Sequence, residues 1–84
     1  MIQLDNPTLD ACLKVECEVD RARGRFPSNR HMLAALIEEV GELAQALLQE
    51  KEDWREEALH CACVAVRIMT EGDADFAFTQ ESTP

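Results

Sequence analysis

The chain has 84 residues, with seventeen acidic side chains against eight basic ones and a net charge of −9. Such a length holds one domain whose core is too small for comfortable stability alone, and such a charge excludes direct capture of a nucleic-acid backbone, which needs clustered Lys and Arg. The apolar stretch Leu59–Met69 is too short to span a bilayer and is broken by His60 and Arg67; with no signal-peptide pattern, a cytoplasmic setting is expected, Cys12, Cys17, Cys61 and Cys63 being free thiols.

In chain order, the first helix begins at Asn6-Pro7, where Asn caps and Pro suits the first helical position. It runs through Cys12, Leu13, Val15 and Val19, and Gly24 marks its end. Arg25-Phe26-Pro27-Ser28-Asn29 is a connector, since Pro disfavours helix at the residue before it. Ser28 or Asn29 then caps a second helix running to about Glu50 or Lys51. Asp53-Trp54-Arg55-Glu56 has capping-box spacing and starts a third, which ends near Gly72. The tail from Asp73 to Pro84 carries Phe76 and Phe78 among polar residues and is expected to be frayed or to lie across a partner subunit. Strand signals are nearly absent. The expected architecture is all-α: residues 1–72 form one three-helix domain, an antiparallel hairpin of the second and third helices that oligomerisation completes into a helical bundle.

Turned at about 100° per residue, the second helix gathers Leu33, Leu36, Ile37, Val40, Leu43, Ala44, Leu47 and Leu48 into one broad apolar arc. Glu39 lies at the edge of that arc, while Met32, Ala35 and Ala46 flank its other side. Glu42 sits beside Ala35, and Glu38 one step further toward Gln45 and Gln49. Three glutamates on a helix are ordinarily its wet face. Here no Lys or Arg stands at i+4 from any of them, and an uncompensated acidic cluster beside an apolar surface calls for a cation. A hard divalent ion with oxygen ligands supplies one.

The third helix offers a complement. Glu57 and His60 are at i,i+3 with Arg67 on the same side, and Glu57 is bordered by Cys61, Val64 and Ile68. In an antiparallel hairpin Glu39 and Glu42 face Glu57 and His60, so that four side chains converge on one ion. Alone, His60 reads as a core histidine; its spacing from Glu57 adds the ligand reading. A zinc site built on Cys61 and Cys63 is disfavoured, because the two point about 200° apart on a helix. Arg21, Arg23, Arg25 and Arg30 read as the solvated end of a helix, where cations suit the dipole, with phosphate binding as the other use.

The run Leu36-Ile37-Glu38-Glu39-Val40-Gly41-Glu42-Leu43-Ala44 resembles the EExxE helix of the MazG-type, all-α nucleotide pyrophosphohydrolases. Glu57-Ala58-Leu59-His60 stands where that family has its second motif, ExxD, and Phe26-Pro27 is also similar to the family; the resemblance covers roughly residues 10–72. It implies hydrolysis of a nucleoside triphosphate to the monophosphate and pyrophosphate with Mg²⁺ or Mn²⁺, in a homodimer or homotetramer. Carried over by position, Glu39, Glu42 and Glu57 become metal ligands, with His60 at the place of the family's Asp. Glu38 orients or activates the attacking water, and Arg67, Lys51 or Arg30 grips the outer phosphates. Imidazole is a softer ligand than carboxylate, so His60 leaves a second expectation beside the enzyme: a non-catalytic nucleotide- or metal-binding module on the same scaffold.

Overall fold

The structure, a computed structural model, describes residues 6–80; residues 81–84 of the expected tail and the first five of the expected domain lie outside the described residues. Three α-helices are present, α1 (Pro7–Arg25), α2 (Met32–Leu48) and α3 (Trp54–Glu71), followed by a short 3₁₀ turn at Ala77–Gln80; among the described residues there is no strand. None of these helices is long and apolar enough to cross a membrane.

Helix α1 starts as its sequence dictates. The Asn6 side chain accepts a bond from the Leu9 amide at 3.1 Å, and Pro7 opens the first turn. Gly24 does not end it. The helix continues to Arg25 and stops at Phe26, which Pro27 forces out of helical geometry to φ −132°, ψ 75°.

The start of α2 departs further from expectation, because neither Ser28 nor Asn29 caps it. His31 occupies the cap position in a left-handed conformation (φ 64°, ψ 26°) and offers the helix no side-chain bond. Ser28 Oγ is spent on the Arg30 amide, and Asn29 Nδ2 donates to the Glu71 carbonyl at 2.7 Å. The orphan Leu33 amide is satisfied from the far end of the chain, by Asp73 Oδ2 at 2.8 Å. Helix α2 also ends earlier than expected, at Leu48; Glu50 (φ 52°) turns the chain, and the Lys51 amide donates to Ala46 O. Helix α3 begins where expected, but Asp53 makes no side-chain cap bond, so the capping box is not formed.

Gly72 closes α3 at φ 69°, ψ −164°, in the region that L side chains avoid, and a Cβ there would lie 2.9 Å from Thr79 Cβ. The chain then doubles back. Thr79 Oγ1 accepts from the Asp73 amide, the Ala74 amide donates to Asn29 O, and Asp75 Oδ2 accepts from the His31 amide and meets His31 Nδ1 at 2.7 Å. Residues 73–80 therefore fold back and clamp the start of the chain's own α2.

Helix α3 packs against both other helices, while α1 and α2 do not pack on one another. Helix α2 runs antiparallel to α3, with Leu33 by Asp73 and Glu39 by His60, whereas α1 runs parallel to it, Arg23 near its end reaching Glu71 at the end of α3. The buried apolar core is small, comprising Val19, Met32, Ala46 and Cys63 among the described residues. The face that α2 turns inward is Met32, Ala35, Leu36, Glu39, Leu43 and Ala46. The apolar arc gathered on the wheel is therefore only partly inside. Much of that arc is outside: Leu33, Ile37, Val40, Leu47 and Leu48 are 43–84% exposed, and they centre roughly 110° round the helix from the buried face.

Candidate metal centre and cleft

Because α1 and α2 stand apart on a shared α3, a cleft of about 350 Å³ opens between them. Its floor is His60, Cys63, Val64 and Arg67 of α3; one wall is Glu18, Arg21 and Ala22 of α1, the other Met32, Ala35 and Glu39 of α2. The connector closes one end with Phe26, Ser28, Arg30 and His31. Clefts of this volume, largely apolar with a few convergent polar groups, are the size that small ligands occupy.

At the other end the acidic residues gather. Glu39, Glu57 and His60 each offer a ligand atom, all within 4.8 Å of one another, and so do Glu38, Glu39 and Glu42; Glu39 belongs to both groups. Two turns on facing antiparallel helices produce this convergence, α2 supplying Glu38, Glu39 and Glu42, and α3 supplying Glu57 and His60. His60 Nδ1 lies 3.1 Å from Glu57 Oε1 and 3.3 Å from Glu39 Oε2, and Nε2 lies 4.0 Å from Glu56 Oε1. The Glu39 and Glu57 side chains are only 20% and 15% exposed. Burial pushes the Glu39 carboxyl above its ordinary range, and the charges of Glu57 and Glu38 add to this against the relief from His60. Glu42 is raised chiefly by the charge of Glu39. Like charges crowded in a partly desolvated place resist ionising together, which is the electrostatic character of a cation site. The donors are carboxylate oxygens with one imidazole, a set that Mg²⁺ accepts for its oxygens and Mn²⁺ accepts in full.

The remaining expected site residues are distributed differently. Arg67 lies in the cleft floor, 4% exposed, with Nε and Nη2 each 2.9 Å from a Glu71 oxygen. Arg30 is at the connector end, 3.4 Å from Asp75. Lys51 is exposed in the α2–α3 turn and does not line the cleft. Cys61 and Cys63 do diverge, as their spacing requires: burial raises both thiols, with the charge of Glu39 next at Cys61 and that of Glu18 next at Cys63. Sequence reasoning passed over Glu18, and it named Arg21 only within the arginine group, as a solvated helix end or a phosphate binder, without placing it in this cleft. Their signal was present in the i,i+3 spacing and in Val15, Val19 and Ala22, which fix the inward face of α1 and place Glu18 beside it.

Comparison of the chain with family models, with curated proteins and with solved structures finds no match in any of the three.

Proposed function

We propose that the chain is a homo-oligomeric, metal-dependent nucleoside triphosphate pyrophosphohydrolase, releasing the nucleoside monophosphate and pyrophosphate. The observation that carries this reading is the convergence of Glu39, Glu57 and His60 at one end of a cleft of about 350 Å³. The resemblance of the Glu38–Glu42 segment to the EExxE helix supports it. Glu39, Glu42, Glu57 and His60 would hold Mg²⁺ or Mn²⁺. When bound, the ion supplies Lewis-acid polarisation of the phosphoryl oxygens and screens the acids from the polyphosphate. Glu38, outermost of the three α2 glutamates, accepts the proton of the attacking water. Met32, Ala35 and Val64 provide apolar surface in the cleft, and Phe26 adds to it at the connector end.

The experiment is pyrophosphate release from a panel of NTPs and dNTPs with Mg²⁺ and with Mn²⁺. Turnover by the wild type is expected, with Glu39→Gln lowering it by more than roughly a hundredfold, the upper end of what loss of an outer-shell metal partner costs. Absence of turnover with every nucleotide and both ions overturns the reading. One observation favours a second reading, a binding module without turnover: His60 Nδ1 contacts both Glu39 and Glu57, so the imidazole already occupies carboxylate oxygens that a catalytic ion would need. Calorimetry showing nucleotide binding without product supports that module, and Mg²⁺-dependent turnover gained by His60→Asp places residue 60 among the ligands.

A further inference from the structure

We propose that Arg21, on the α1 wall of the cleft, grips the outer phosphates of the nucleoside triphosphate; the proposal rests on the pyrophosphohydrolase reading of this cleft. A polyphosphate brought to the acidic end meets Glu18, Glu39, Glu57 and Glu56, and a cation of the protein must face it there. His60 is already in contact with Glu39 and Glu57. The Arg67 side chain is only 5% exposed and lies along Glu71. Arg30 and His31 sit at the opposite end, held by Asp75.

Arg21 is neither enclosed like Arg67 nor part of the connector. It lines the same cleft as Glu39, His60 and Cys63, its side chain is 55% exposed, and it reaches back along α1 to Glu18 on the same wall. Its Nε and Nη2 donate to Glu18, three residues earlier on the same helix. With Arg21 more than half exposed, water screens its attraction to the less open Glu18. A polyphosphate offers more charge and a planar set of oxygens that guanidinium donors match. Arg21 can therefore leave Glu18 for the ligand without disturbing the core.

The test is titration calorimetry on the Mn²⁺-loaded protein with α,β-imido analogues of several nucleoside triphosphates and with the corresponding monophosphates. For the analogue the wild type binds best, Arg21→Gln is expected to weaken affinity by at least about tenfold, the scale of one lost charge-assisted contact. The same variant should move monophosphate affinity by less than about twofold, since only the outer phosphates are lost to it. Arg21→Lys should recover part of the loss, Glu18→Gln should tighten analogue binding by freeing Arg21, and Lys14→Gln, outside the cleft, should change nothing. An unchanged analogue affinity in Arg21→Gln, or an equal loss for analogue and monophosphate, overturns the role of Arg21 and leaves the reading of the site standing. Failure of the wild type to bind any of the nucleotides overturns both.

Discussion

Glu71 ties three parts of the molecule together through single atoms. Its Oε2 accepts from Arg67 Nε at 2.9 Å and from Arg23 Nε at 2.7 Å, joining α3 to the end of α1, while its carbonyl accepts from Asn29 in the connector. The Arg67 guanidinium holds the Glu71 carboxyl well below the ordinary range, at about 2, with Arg23 helping against the opposing effect of burial. A carboxylate whose folded value lies below the unfolded 4.5 contributes stability that is complete above pH 4.5 and is lost as pH falls toward 2. The contribution is about 2–3 kcal/mol, toward the low end because Arg23 is 40% exposed to solvent. Thermal melts from pH 7 to pH 2 should therefore lose stability mainly below pH 4.5. Glu71→Gln should flatten that loss and cost about 3 kcal/mol at neutral pH, since it leaves the Arg67 charge buried without its partner. An unchanged acid limb in the variant would remove Glu71 from this role.

At the scale of the elements, α2 is capped by a residue forty positions away. Burial pushes the Asp73 carboxyl up, but the amides of Leu33, Asp75 and His31 outweigh it and hold the group below its ordinary value. Asp73→Ala should unwind the first turn of α2, lowering Tm by roughly 5 °C and speeding hydrogen exchange at the Leu33 amide while the Gly72 amide, bonded within α3 to Ile68, stays protected. Equal loss at both amides would mean that the cap acts on the whole fold rather than on α2. This cap also marks the limit of what local pattern reveals. Asn6, Pro7 and Gly72 punctuate the chain through their own backbone chemistry, so the helix starts and stops they govern were readable. The α2 cap was not, because Ser28 and Asn29 are chemically able to cap but Ser28 is spent on the nearby Arg30 amide and Asn29 on Glu71, while the cap comes from Asp73, a partner that only the tertiary fold supplies. In the site, Glu39, Glu57 and His60 were readable from their spacing on two adjacent helices of a hairpin. Glu18 was not, and Arg21 was read only as one of an arginine group with phosphate binding as an alternative, since their place depends on where α1 docks. Gly41, prominent in the EExxE segment, has open space where a Cβ would stand, so nothing within the chain itself requires a glycine there.

For the whole molecule the outstanding feature is the exposed part of the apolar arc of α2, turned aside from α3. Ile37 is 64% exposed, Val40 49% and Leu47 54%, and together with Leu33 and Leu48 they form a contiguous row of the kind that marks an interaction surface. A second copy of the chain is the occupant we propose in the homo-oligomer, which answers the small core set by the chain's length. Sedimentation should find the wild type associated at micromolar concentration, and Ile37→Lys should shift it to monomer with α-helical content retained. A wild type that sediments as a monomer at every concentration would refute the assembly.

The separation of α1 from α2 has a mechanical consequence. Two prongs rooted on one shaft, without a brace between them, form a fork whose gap is governed by each prong's seat on the shaft and by the short connector at its base. A ligand that reached Glu39 on one prong and Arg21 on the other would act as the missing crossbar. Binding and stiffening would then be one event, and the gap would be narrowest when the cleft is full.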